Sequence, residues 1–325
     1  MTQQASDPMS RVAALCRAGR CEDAIAAQEK EFTGRPGDAE LSARIGICYS
    51  GVCRAHRMVS RALAVTYLKR ALELWGPTAQ AERTTAILDV LSGLLVDGGE
   101  MEEARVALEA EAALLQGARL RREWARVEYN LGNVCSDLAA GGGQQWWEEA
   151  VRHYGNALTV RTEREDPARF AATAQNLGTA YRAMHGARHE ENLKRAIGWY
   201  SAAFRACFRA GLAKKRADLH NNLGNAFLEL ACLPGGEGKN ARRALCHFER
   251  ALRMRTKAAR PCDYAVTQFN LGQSYLRLGG CSPAEQARRV AACFHEALDG
   301  FLMCGDAAGA ELARKHLAQV ETPAA

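Results

Sequence analysis

Asn130-Leu131-Gly132 is the first of four copies of the tripeptide Asn-Leu-Gly, and the other copies are residues 176–178, 222–224 and 270–272. The leucines of successive copies are 46, 46 and 48 residues apart. Self-similarity at a fixed period of about 20 to 50 residues is the sequence sign of a stacked repeat architecture. The tripeptide therefore predicts a repeat protein in which each unit packs mainly on its neighbours.

A second signature follows each tripeptide, with a small residue, an aromatic residue four positions later and an alanine three positions after that. Its copies are Ala150/Tyr154/Ala157, Ala196/Tyr200/Ala203, Ala244/Phe248/Ala251 and Val290/Phe294/Ala297. Both signatures have the spacing of one helix face, and Gly or Ala at a crossing lets a second helix approach closely. Each repeat is therefore predicted to be a helix hairpin.

These residues resemble the tetratricopeptide repeat family, whose 34-residue helix pairs carry a similar order of Leu-Gly, aromatic and Ala. The resemblance implies an all-α fold, a right-handed α-solenoid of about seven helix hairpins plus a C-terminal capping helix. One domain over residues 1–325 is expected. Its repeats are predicted at about 5–38, 39–84, 85–124, 125–170, 171–216, 217–264 and 265–310, with the capping helix at about 311–321.

The repeats are longer than the family's usual unit. Ala157 and Leu177 are 20 residues apart, about six more than in a 34-residue repeat. The extra residues are predicted to lengthen the second helix of one repeat and the first helix of the next, with breaks at Pro167 and Pro261 because proline lacks an N–H donor. Long-helix repeats of this kind are similar to those of bacterial signalling and protease-associated proteins and of kinesin light chains.

Two segments 94 residues apart match at many positions. Arg161-Thr162, Pro167 and Thr173 recur as Arg255-Thr256, Pro261 and Thr267. A match of this length indicates true internal duplication.

The net charge of +6 is concentrated in the middle of the chain, where residues 182–260 hold 17 Lys or Arg against 6 Asp or Glu. This imbalance indicates an acidic protein partner or a phosphate backbone, or else a solvated outer helix face. No apolar run approaches the about 20 residues of a membrane span, and a cytoplasmic location is expected. The twelve cysteines show no short paired spacing and are predicted to be reduced packing residues.

No motif indicates an enzyme, and neither a cofactor nor a metal is predicted. His185 and His189 are spaced four apart, but Gly186 separates them in a turn. The segment 238–240 lacks the leading Gly and final Ser or Thr of a phosphate loop. Two tryptophans, residues 146–147, either pack the preceding glycine turn onto its own repeat or anchor a partner.

The asparagines before each Leu-Gly are the candidate site. In the resembled family the helix that carries Leu-Gly lines a groove, and amides there can pair with the peptide units of an extended chain. This would be similar to the asparagine ladder of the O-linked N-acetylglucosamine transferase repeats. The alternative is that each Asn bonds a neighbouring helix. The predicted groove residues are Asn130, Asn133, Asn176, Thr179, Asn222, Asn225, Asn270, Gln273, Arg126 and Arg182.

Arg126 would belong to a basic clamp for a carboxylate, but the equivalent residues Ala172, Asp218 and Val266 are not basic. The resemblance implies a non-enzymatic adaptor that binds a protein or peptide partner, and the basic middle favours an acidic one. The alternatives are a regulatory subunit of a partner enzyme such as a caspase-like protease, and a nucleic-acid-binding repeat protein. Nucleic acid is disfavoured because aromatic residues suited to base stacking are few.

Overall fold

The computed structural model describes residues 37–52, 59–75, 81–278 and 282–321, together with scattered positions between 23 and 34. Apart from those positions, the first predicted repeat lies outside the described residues. The chain divides into two compact units, residues 1–146 and residues 147–325. The expectation of one continuous domain stays a prediction, and each unit is described by itself.

The described residues are helical apart from turns and loops, so the all-α fold class is confirmed. The first unit contains α1 Ala39–Val52, α2 Val59–Trp75, α3 Ala81–Gly98, α4 Met101–Gly117 and α5 Arg121–Ala140. The second unit contains α7 Pro167–Ala183, α8 His189–Arg209, α9 Ala213–Cys232, α10 Glu237–Leu252, α11 Pro261–Leu276, α12 Pro283–Cys304 and α13 Ala307–Glu321. Between them, α6 Trp146–Leu158 begins at the last residue of the first unit.

Consecutive helices pack against each other, as in a tetratricopeptide solenoid. In the first unit the hairpins are α1 with α2 and α3 with α4, and α5 packs on α4. In the second unit the hairpins are α7 with α8, α9 with α10 and α11 with α12, and α13 packs on α12. The first helices of neighbouring hairpins also touch, since α9 contacts both α7 and α11. Nearest-neighbour contacts of this kind build the core of a repeat protein.

The glycine of the tripeptide is the site of close approach inside each hairpin. A Cβ atom on Gly178 would lie 2.8 Å from the ring of Tyr200, and one on Gly224 would lie 2.5 Å from the ring of Phe248. Both rings are fully buried. Contacts of this length are too short for carbon atoms, so a side chain at either glycine would push the two helices apart. The predicted role of the Leu-Gly pair is confirmed at these crossings.

Tight turns join some hairpins to the next helix, between α4 and α5, between α8 and α9 and between α12 and α13. Each turn contains one residue with positive φ, Arg119 at 58°, Gly211 at 68° and Gly305 at 75°. In each turn the N–H of the next residue donates to the carbonyl five positions earlier, at 2.9 to 3.1 Å. The helices before two of these turns, α8 and α12, are 21 and 22 residues long, so the predicted lengthening is confirmed there.

Long loops take the place of tight turns at two other connections, residues 159–166 before α7 and 253–260 before α11. The next helices begin at Pro167 and Pro261 as predicted. However, the extra residues before each proline form a loop rather than additional helix. This corrects the expectation that every repeat has longer helices. In each loop an arginine, the half-buried Arg161 or the buried Arg255, bonds a threonine of the next helix.

Cys262 and Cys304 form a disulfide with a Cα–Cα distance of 5.7 Å. The prediction that all cysteines are reduced is therefore wrong for this pair. The two residues are 42 positions apart, and they meet because α11 and α12 are antiparallel, which brings the start of one helix beside the end of the other. Sequence spacing does not show such a pairing.

Candidate functional site

Eight of the predicted groove residues are the asparagine that begins each tripeptide and the residue three positions after it. All eight are half-buried, and they lie on α5, α7, α9 and α11. Two of them, Asn130 and Asn133, belong to the first unit. We call the six in the second unit the amide column, and they are Asn176, Thr179, Asn222, Asn225, Asn270 and Gln273. Because α9 touches α7 and α11, the column follows three neighbouring helices.

One hydrogen bond within the amide column joins α11 to α9 directly. The Asn270 Nδ2 donates a hydrogen bond of 2.8 Å to Oδ1 of Asn225, which is the helix-to-helix contact expected by the architectural alternative. An amide can make more than one hydrogen bond. Within the described part of the chain, Asn225 Nδ2, Asn270 Oδ1 and the whole Asn222 amide have no partner. The Asn225–Asn270 pair therefore still has a donor, Asn225 Nδ2, and an acceptor, Asn270 Oδ1, that are open.

Thr179 lies at the α7 side of the column and is held by its own hairpin. Its Oγ1 donates to the Gln175 carbonyl oxygen at 3.1 Å and also lies 3.1 Å from the hydroxyl of Tyr200. Tyr200 is fully buried. The hydroxyl of Thr179 is thus satisfied by the protein, and it contributes less free hydrogen-bonding capacity than Asn222, Asn225 and Asn270.

Arg182, one turn beyond Thr179, forms an ion pair with Glu229 of α9. Burial lowers the pKa of Arg182, but the adjacent carboxylate and Tyr200 raise it by more, so the guanidinium is firmly charged. The Glu229 Oε2 is buried without a hydrogen-bond partner among the described residues. Arg182, predicted to face a ligand, is therefore engaged in a link between α7 and α9.

Gln273 closes the other end of the column. Its Nε2 lies 3.5 Å from Nδ1 of His316 on α13, and its Oε1 accepts a hydrogen bond of 3.2 Å from Arg277. The last residue of the column thus contacts α13, Ala307–Glu321, the C-terminal closing helix of the described chain.

Arg126 of the first unit is occupied by two carboxylates. It donates to Asp89 and, at 2.8 Å, to Oε1 of Glu111. Glu111 is almost fully buried, and this burial raises the pKa of its carboxyl group to about 7 although Arg126 opposes the shift. Arg126, predicted to belong to a carboxylate clamp, is therefore engaged with two carboxylates of its own chain.

A further polar network is centred on Arg255, which was not among the predicted site residues. Arg255 is 5% exposed, and it donates to Oγ1 of Thr267 at 3.0 Å and to Asp218 at 2.7 Å. Arg161 makes the equivalent bond of 2.9 Å to Thr173. The recurrence of Arg and Thr at 94 residues was the available signal, since both members of each bonded pair are duplicated together.

The buried His220 and the half-buried His247 form a second polar contact. His220 Nδ1 on α9 lies 3.0 Å from His247 Nδ1 on α10, and the ring of Phe204 lies 4.7 Å from that of His220. Burial, helped by nearby arginines, lowers the pKa of each histidine to about 4. Across the described residues, no group of three or more His, Cys, Asp or Glu is placed to hold a metal ion.

Trp146 packs at the turn before α6. A Cβ atom on Gly143 would lie 2.4 Å from its ring, and the guanidinium carbon of Arg105 lies 5.1 Å from the ring centroid. These contacts favour the packing hypothesis for Trp146. No described helix is both long and apolar enough to cross a membrane.

Comparison with known proteins supports the fold. No family model matches the chain, and no curated protein matches it in sequence. Among solved structures, a STAND signal-transduction ATPase with a tetratricopeptide repeat sensor from Pyrococcus horikoshii has a TM-score of 0.61 at 12% identity, over 94% of this chain and 44% of its own.

Two shorter structures are also similar. The C-terminal part of a TPR repeat-containing protein from Cytophaga hutchinsonii has a TM-score of 0.56 at 12% identity, over 89% of this chain and 94% of its own. BtubC (BKLC) from P. vanneervenii has a TM-score of 0.55 at 19% identity, over 77% of this chain and 91% of its own. At these identities the comparisons show a tetratricopeptide-type fold and nothing finer.

Proposed function

We propose that this protein is a non-enzymatic adaptor and that the amide column of its second unit binds an extended segment of a partner protein. The observation that carries the proposal is the set of open amide atoms on α9 and α11. Asn222 presents a whole amide, and the hydrogen-bonded pair of Asn225 and Asn270 leaves one donor group and one acceptor oxygen open. An extended peptide offers N–H and C=O groups in alternation, which such a set can match.

The position of the column supports the same function. Its members are half-buried, so a hydrogen bond made there is partly shielded from water and gains strength. The column lies on helices that contact each other, and the Arg182–Glu229 pair links α7 to α9. A rigid base of this kind holds the amides in place before binding and lowers the entropy lost on association.

Asn222 and Asn270 provide a matched pair for the test. Asn222→Ala removes an amide without an intramolecular partner, so we expect about a fivefold loss of affinity, from a net hydrogen bond of about 1 kcal/mol, with no change in melting temperature. Asn270→Ala also removes the bond to Asn225 and should lower the melting temperature as well as the affinity.

The measurement requires a partner, which would be captured by crosslinking to the full chain and identified by mass spectrometry. The segment responsible would then be titrated calorimetrically against wild type and both variants, with thermal melts in parallel. If Asn222→Ala lowers the melting temperature and leaves the affinity unchanged, the column is architectural and the proposed function is wrong.

A further inference from the structure

The tight turn between α8 and α9 carries an unusual concentration of positive charge. Residues 205–216 include five basic residues and no acidic one. Within this segment Phe208 is 67% exposed, and the guanidinium of Arg216 lies 5.5 Å from the centroid of its ring. Lys214 and Lys215 are exposed beside them. We call residues 205–216 the basic junction.

The first unit carries a surface of opposite character. A groove of about 380 Å³ is bounded by α2, α3 and α4 and lined mainly by Leu72, Leu88, Leu91, Leu95, Val106 and Ala107. Glu102, Glu103 and Lys69 stand at its rim, so the carboxylates outnumber the one cation among its lining residues. Val106 is 57% exposed. Helix α4, which supplies the two carboxylates, has three exposed glutamates, Glu102, Glu103 and Glu109, and one arginine. We call this surface the acidic groove.

We propose that the basic junction of one molecule docks into the acidic groove of a second copy of the same chain. In this contact the Phe208 ring enters the apolar groove, while Lys214 and Lys215 face Glu102 and Glu103. The proposal uses surfaces other than the amide column and goes beyond the proposed function.

Charge and apolar area both point to this occupant. An exposed phenylalanine and an exposed apolar groove each lose unfavourable contact with water when they meet, and aromatic and arginine side chains are typical of interface centres. The rim carboxylates now pair with Lys69 and, at 3.0 Å, with Arg105. Both partners of the Lys69–Glu103 pair are exposed, and in the other pair Glu102 is exposed while Arg105 is half-buried. Ion pairs this open to water have a small net energy, so they can exchange for pairs with the basic junction at little cost.

The contact joins two different surfaces of the chain, so it is heterologous rather than isologous. One aromatic anchor with a ring of charges is a small interface, and small interfaces are weak. We therefore expect association that depends on protein concentration and decreases at high salt, because the charges are exposed and screened.

The chain contains a matched control for Phe208. Leu302 occupies the same position 94 residues later, before the tight turn of Gly305, and is 55% exposed. Residues 299–310 contain two acidic residues and no basic one. Leu302→Ala thus removes a similar exposed side chain from a turn without the basic charges, and it should leave self-association unchanged.

Sedimentation velocity of the full chain over a wide concentration range tests the proposal. Wild type should self-associate at low salt, and Phe208→Ala or the double change Lys214→Glu with Lys215→Glu should weaken association by about tenfold or more. Val106→Arg, which places a positive charge in the groove, should do the same. All changed positions are exposed, and thermal melts would verify that each variant is folded.

A mixing experiment gives the sharpest result. Phe208→Ala retains an intact acidic groove and Val106→Arg retains an intact basic junction, so each should be monomeric alone and the mixture should form a one-to-one dimer. Wild type that stays monomeric at every concentration would overturn the proposal, as would a Phe208→Ala variant that associates like wild type.

Retardation of a single-stranded oligonucleotide by that monomeric wild type, lost with Lys214→Glu and Lys215→Glu, would assign the basic junction to nucleic acid instead.

Discussion

The connection from α8 to α9 and the connection from α10 to α11 join the same kinds of helix by different means. The first uses residues 210–212, a glycine with positive φ and backbone hydrogen bonds. The second uses residues 253–260 and a buried arginine bonded to Thr267 and Asp218. A turn held by its backbone tolerates many side chains, whereas a loop held by one buried cation depends on that residue.

The difference repeats along the chain. The long loop before α7 has the same Arg-to-Thr bond as the one before α11. Four of its backbone hydrogen bonds also recur 94 residues later, all at 2.9 to 3.2 Å. The structural period of the second unit is therefore two helix hairpins, one ending in a tight turn and the next in a long loop.

The largest effect is expected at the long loop. Arg255→Ala removes a buried guanidinium that bonds Thr267 and Asp218. Asp218 keeps Arg260 at 3.0 Å as a second partner, so we expect a loss of about 3 kcal/mol, at the lower end of the cost of breaking a buried ion pair. Chemical denaturation would measure the loss of unfolding free energy. Arg253→Ala is the control, because Arg253 is exposed in the same loop and should change stability by less than about 0.5 kcal/mol. Equal midpoints for the two variants would contradict the comparison.

The disulfide gives the next effect, because Cys262 follows the long loop and Cys304 precedes a tight turn. Reduction should destabilise the second unit by about 2 to 4 kcal/mol, as loss of a cross-link restores freedom to the unfolded chain. Thermal melts with and without reductant would show it. The variant Cys304→Ala should melt like the reduced protein and no longer respond to reductant, and an identical response in both proteins would refute the pairing.

Acid should weaken the packing beside the tight turn through His220 and His247. The pKa of each is about 4 in the folded chain against 6.5 ordinarily, so between these values the unfolded chain binds more protons. The contribution of each neutral histidine to the free energy of unfolding is present above pH 6.5 and is lost as the pH decreases toward 4. The loss is about 2 kcal/mol at pH 5 for one histidine. Denaturation across this range should show the slope, and His220→Phe should reduce it. A slope unaffected by that change would exclude the pair as its source.

The smallest effects concern the tight turns themselves. Gly211→Ala keeps the positive φ, and a Cβ there meets nothing within 4 Å, so only backbone strain of about 1 kcal/mol is expected. Arg119 has the same conformation without being glycine, so Arg119→Gly should stabilise the first unit by up to about 1 kcal/mol. Denaturation midpoints that move in opposite directions for the two variants would support backbone strain as the cause. A loss of stability in Arg119→Gly would show that the Arg119 side chain stabilises the turn more than its backbone strains it.

The helices and their crossings could be predicted from the sequence because they depend on local rules. The spacing of Leu-Gly and the aromatic position predicts one buried face per helix, and the prolines at 167 and 261 mark helix starts by their missing donor. Glycine at the crossing follows from the space that a buried ring requires, as at Gly224 and Phe248. These features were determined by the amino-acid sequence without knowledge of any distant contact.

The polar contacts were decided only by the tertiary structure. Asn270 bonds Asn225 across 45 residues, Arg182 pairs with Glu229 across 47, and the disulfide spans 42. A period identifies the buried stripe of a helix, but a shift of one residue turns a side chain by about 100° around the axis. Which half-buried groups meet therefore depends on how neighbouring helices are rotated and spaced when they pack, and the repeat pattern leaves that rotation open.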